Sequence, residues 1–217
     1  MNGHWLWAGA VAMLAARLCL CLVYEPEELR ERRDTSWHIW VMTAFGAWCG
    51  YAYSDVLNIL LSLLFGILLF WGATIDKRYW ILPNSGAVLL VLLGVVRIVW
   101  QFHGLEGQEL MTTVGSAVLA ASITAVGLWL LGMVLRRLTK NGVGRGDIKW
   151  IAALAFWFSP HVLWFMLLLA FSAGALWCLA ARNRCHVRSV VPFGPFLCGA
   201  SLVAHMCGIQ VVAWYGL

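Results

Sequence analysis

Apolar runs of about twenty residues recur along this chain from one end to the other, and nothing else limits its fold so severely. A helix of that length crosses the hydrocarbon core of a bilayer. Inside lipid every backbone N–H and C=O must be paired within the protein, which leaves helices and closed barrels as spanning structures. Barrel strands would alternate apolar and polar residues, and these runs do not. The expected fold is therefore all-α, a polytopic membrane helical bundle. Composition excludes the soluble alternative: of 217 residues, 62% are hydrophobic and only 12% charged, about half the charge of an ordinary soluble domain. Mean hydropathy is +0.82.

The runs divide the chain into about eight spans, near 4–24, 37–52, 55–75, 85–100, 111–136, 148–160, 162–181 and 191–214. The connections between them alternate strictly in charge. One kind is basic: Arg30, Arg32 and Arg33, then Lys77 and Arg78, then Arg136, Arg137, Lys140, Arg145 and Lys149, then Arg182, Arg184 and Arg188. The other kind has no Lys or Arg, and its only charges are Asp55, Glu106 and Glu109. Basic loops stay in the cytoplasm, so both termini are expected outside it. Arg17 and Arg97 fall inside spans and are expected to snorkel toward an interface. A net charge of +5 is thus explained by topology and lipid headgroups, and no nucleic acid partner is implied.

The first 24 residues read as an uncleaved span: Arg17 interrupts the apolar stretch, and Tyr24-Glu25-Pro26 is a poor cleavage site. The chain is expected to be a single domain over 1–217, with a short cytoplasmic loop at 25–36. Charges in that EPEELRERRDTSW stretch alternate in sign at helical spacing and predict a short solvated helix. Seven cysteines form no CxxC pair and lie mostly within apolar runs, where they act as small apolar residues. Six scattered histidines make no ligand set, so neither metal nor cofactor is expected. Most tryptophans fall near span ends, where interfacial anchors sit.

Ionisable groups at membrane depth are costly and mark functional sites. Two stand out: Asp76 in GATIDKRYWILPN and Asp147 in NGVGRGDIKW, both at the cytoplasmic face by the charge pattern. Each has a plainer account, Asp76 as an interfacial charge beside Lys77 and Arg78, Asp147 as the N-cap of the helix it opens. Gly142, Gly144 and Gly146, on alternate positions before Asp147, favour a functional reading. Glycine adopts unusual backbone conformations and lets another chain come close. In VPFGPFL, Pro192, Gly194 and Pro195 around Phe193 fit either a proline-led helix start or an unwound segment gripping an extended peptide.

Taken together, Asp76 with Leu82-Pro83-Asn84, Gly144-Arg145-Gly146-Asp147-Ile148-Lys149, and Pro192-Phe193-Gly194-Pro195-Phe196 resemble the motifs of the bacterial type IV prepilin peptidases. The resemblance covers about residues 55–200, and its GxGD element is shared with archaeal preflagellin peptidases and, more distantly, presenilin. It implies that Asp76 and Asp147 are the catalytic pair. Gly144, Gly146, Lys149, Pro83, Asn84, Pro192, Phe193, Gly194 and Pro195 would shape the site or hold substrate. The implied partners are type IV prepilin or pseudopilin precursors, cut between a short basic leader and an apolar helix at the cytoplasmic face of the bacterial inner membrane. A homo-oligomer is compatible with this reading. Larger members carry a long first loop with two CxxC pairs, associated with N-methylation. Here the corresponding loop has no cysteine, so the short, peptidase-only form is expected.

Two close carboxylates can hydrolyse a peptide when they share one proton, since like charges raise one pKa of the pair. An ammonium aimed at them would oppose the sharing, so Lys77 and Lys149 are expected to face headgroups, with Lys149 anchoring its helix end. A proton-coupled transporter would instead place its acids near the midplane and show an internal hydropathy repeat. Here the acids lie at one face and no repeat is evident. A non-catalytic pilus or secretion assembly protein stays open on sequence grounds.

Overall fold

The computed structural model describes residues 4–24, 36–101, 107–139, 144–182 and 192–214. They form eight α-helices: α1 (His4–Val23), α2 (Ser36–Ala52), α3 (Val56–Tyr79), α4 (Asn84–Gln101), α5 (Gly107–Thr139), α6 (Arg145–Leu154), α7 (Pro160–Arg182) and α8 (Gly194–Trp214). The described residues contain no strand. The helix expected in the first loop falls on residues outside this set, apart from Ser36 and Trp37, which open α2. Five helices are long and apolar enough to cross a membrane, in α1, α3, α4, α5 and α7, and the chain is a multi-pass membrane protein. The segment expected as the span 148–160 is a ten-residue helix, α6, ending in a turn. Ten residues reach about 15 Å, half of a roughly 30 Å hydrocarbon core. Tight bonds end it: Ala155 N–H donates to Ala152 O, Phe156 N–H to Ala153 O and Trp157 N–H to Leu154 O.

The chain folds as two compact units, Met1–Tyr79 and Trp80–Leu217. In the first, α1 packs closely on α2, and both touch α3. Lipid-soluble helices gain little from apolar burial against each other, so close backbone approach carries their association. Gly46 and Gly50 are spaced for this. A Cβ at Gly46 would meet Ala12 Cβ at 2.5 Å and Ala8 O at 2.6 Å, and one at Gly50 would meet His4 O at 2.6 Å. Asp55 caps α3, its Oδ1 accepting from Leu57 N–H at 3.3 Å and its Oδ2 from Asn58 Nδ2 at 3.1 Å.

In the second unit α6 packs on both α4 and α5, while α7 and α8 pair with each other. Hydroxyls within these helices bond back to the preceding turn, as Thr124 does to Ala120 O and Ser201 to Leu197 O. No buried side-chain nitrogen or oxygen among the described residues lacks a hydrogen bond, as a bilayer interior requires.

Candidate active site

Asp76 lies in the last turns of α3, and only 6% of its surface is exposed. Thr74 is equally buried and donates its hydroxyl to Trp71 O at 2.8 Å. The turn is anchored by Arg78, which donates to Val23 O at 2.7 Å, a carbonyl at the end of α1 that has no partner within its own helix. The guanidinium also lies 5.1 Å from the Tyr24 ring and 5.4 Å from the Tyr79 ring. Arg78 is therefore engaged in tying two helix ends together, whereas Lys77 is exposed. The helix ends where Trp80 takes a left-handed conformation, φ 59°, a position that favours glycine and is strained for a bulky residue.

Asp147 is the third residue of α6 and half-buried. It does not cap the helix: the N-cap is Gly144, with no side-chain cap bond. The backbone of Gly144 is ordinary for any residue, φ −62° and ψ 139°, so conformational freedom is not what calls for glycine there. Close approach is. A Cβ on Gly144 would lie 2.6 Å from Asp147 Oδ2, because the carboxylate folds back over the helix start. Gly146 does the same for the preceding motif, since a Cβ there would meet Leu82 Cβ at 3.2 Å. Gly142 lies outside the described residues.

The Leu82-Pro83-Asn84 string is bonded to the start of α6. Lys149 Nζ donates to Asn84 Oδ1 at 2.9 Å, and Trp150 Nε1 donates to Pro83 O at 3.0 Å. Lys149 is exposed, and its ammonium ties the start of α6 to the first residue of α4. Arg97 donates to Trp157 O at 3.0 Å with its Cζ 5.3 Å over the Trp157 ring. The guanidinium finds both a carbonyl and a π-face there.

Pro192, Phe193, Gly194 and Pro195 take the simpler of their two readings. Gly194 opens α8, with Pro195 in its first turn, and Phe193 O accepts from Phe196 N–H and Leu197 N–H, both at 3.1 Å. The Phe193 ring stacks on Phe171 of α7, 5.0 Å between centroids. Only Pro192 and Phe193 of this string lie outside the helix, so an unwound stretch through Pro195 is not formed. Among the described residues no group of three or more His, Cys, Asp or Glu is placed to hold a metal ion.

Sequence reasoning did not single out Trp150 and Trp157. Trp150 is fully buried and Trp157 nearly so. The available signal was spacing: they stand seven residues apart, as do the carbonyls at Pro83 and Leu90 that accept their N–H groups.

The described residues thus form a multi-pass helical protein with a buried aspartate on one apolar helix and another at a glycine-flanked helix start. The chain belongs to the Type IV leader peptidase family, which matches residues 63–179. It is similar to the prepilin leader peptidase/N-methyltransferase of Aeromonas salmonicida strain A449, 36% identical over 145 residues, covering 65% of this chain and 47% of that protein. The protein of the same description from Legionella pneumophila is 29% identical over 162 residues, 71% of this chain and 54% of that one. The one from Stutzerimonas stutzeri is 27% identical over 178 residues, 81% and 58% respectively. The chain spans about half the length of the curated relatives it matches. No solved structure matches it.

Proposed function

We propose that this chain is an aspartic endopeptidase that removes the leader of type IV prepilin or pseudopilin precursors at the cytoplasmic face of the inner membrane, with Asp76 and Asp147 as the pair that activates water. The observation that carries the reading is the seating of Asp147: its carboxylate lies back against Gly144, on a helix start bonded to the Leu82–Asn84 string. Asp76 precedes that string by six residues and is buried in an apolar helix, where an acid is retained at a cost. In such a pair one carboxyl takes a proton from water and the other protonates the leaving amine. Membership of the Type IV leader peptidase family supports the peptide bond as the target. The 25–36 loop has no cysteine, which supports peptidase activity without N-methylation.

Co-expression with a prepilin and analysis of precursor size test this. Asp76→Asn and Asp147→Asn should each abolish processing while the protein accumulates in the membrane, and mass spectrometry should find the mature amino terminus unmethylated. Normal cleavage by either variant would remove the dyad.

A further inference from the structure

The short helix α6 is joined to α4 by two indole N–H groups. Trp150 Nε1 donates to Pro83 O at 3.0 Å, and Trp157 Nε1, in the turn that ends α6, donates to Leu90 O at 2.8 Å. Donors and acceptors are both spaced by seven residues, so a single offset of 67 satisfies both bonds. Seven residues are nearly two helical turns, which puts both bonds along one face of α4 and makes the two helices run parallel. The far bond is reinforced from both sides. Arg97 donates to the Trp157 carbonyl at 3.0 Å. Gly94 admits the turn, since a Cβ there would lie 2.7 Å from Phe156 Cβ.

Such bonds resist a motion that apolar contacts do not. Ten residues make a marginal helix, and small or aliphatic side chains between helices in lipid allow axial sliding at little cost. A slip of one residue would shift α6 by about 1.5 Å and rotate it by about 100°. It would leave two buried indole N–H groups unpaired, which is unfavourable. It would also carry Asp147, together with Gly144, away from its place against the Leu82–Asn84 string.

We propose that Trp150 and Trp157 are positioning residues, a two-point register lock that sets the depth and rotation of Asp147 against the Leu82–Asn84 string. The proposal rests on the reading of Asp147 as a residue of peptide hydrolysis. Trp150→Phe and Trp157→Phe each keep an aromatic ring and delete the N–H. With purified enzyme in nanodiscs and a synthetic prepilin peptide, each should lower kcat by about 10- to 100-fold, the scale of a 1 Å misplacement, with KM within about twofold of the parent. Trp129→Phe, at an exposed position on α5, should leave both constants unchanged. Parent-like kcat in both tryptophan variants overturns the lock, and so does a loss found only together with a raised KM and a lowered melting temperature. Asp147→Asn separates the two levels. If it is inactive while both tryptophan variants run at full kcat, the lock alone fails. If it is active, the peptidase reading fails and the lock falls with it.

Discussion

At the residue scale, the glycines before Asp147 do different work from what their number implies. Gly144 has no unusual backbone, and its role is to leave room for a carboxylate that would otherwise meet a methyl at 2.6 Å. Because that carboxylate is the free end of a side chain, Gly144→Ala should be absorbed by moving the acid and not by distorting the helix. Prepilin cleavage should fall about 10- to 100-fold with little change in thermal stability, as measured by processing rate and melting temperature in the same detergent. Gly146→Ala meets Leu82 Cβ at 3.2 Å, a contact that a few tenths of an ångström relieve, so its effect on cleavage should be the smaller of the two. Equal effects would mean that Gly144 does not seat the carboxylate. The sequence made Asp147 and its glycines conspicuous, but not which atoms they meet, since that depends on a carboxylate folding back and on Leu82 arriving from the connection before α4.

At the scale of elements, helix pairs in this protein are held by approach and by hydrogen bonds more than by apolar stripes. α1 and α2 meet where Gly50 faces the backbone of His4 and Trp5, both within 2.6 Å of an added Cβ. Backbone cannot yield without parting the helices, so Gly50→Ala should destabilise the pair by about 1–3 kcal/mol. Gly9→Ala, whose Cβ would find its nearest atoms at 3.5 Å, should be close to neutral. Thermal denaturation in detergent compares them, and parity between the two variants would refute close packing at Gly50. The helices were largely legible from the apolar runs: each expected span overlaps a helix, and among the described residues five helices are long and apolar enough to cross a membrane. The extents of α3 and α6 were not. α3 continues past Asp76 to Tyr79, where Trp80 turns left-handed, and α6 stops after ten residues. Hydropathy registers neither event: the apolar run stops at the charges of Asp76, Lys77 and Arg78 while the helix continues through them, and the Ala155–Phe158 turn is as apolar as the helix it ends.

For the whole molecule, orientation in the bilayer is the property that composition addresses best. Basic residues gather in alternate connections, a pattern that predicts those connections in the cytoplasm. Within the second unit, the bond from Lys149 to Asn84 sets the starts of α4 and α6 at one end, which accords with that pattern for both. A reporter active only outside the cytoplasm should therefore be active when fused between Gln101 and Gly107 and silent between Thr139 and Gly144. Activity at the second position would overturn the charge-based orientation.

From sequence alone came the all-α membrane class, the two acids and the motifs around them. Each is a property of residue type and spacing that lipid and carboxylate chemistry make informative without coordinates. Tertiary structure decided the rest: that Lys149 and Arg97 turn to Asn84 and Trp157, that Pro192–Pro195 only begins a helix, and that two tryptophans bond α6 to α4. Those outcomes hang on which donor meets which carbonyl across more than fifty residues of chain. A side chain's type states what it is able to bond, whereas its partner is set by the packing that brings one within reach.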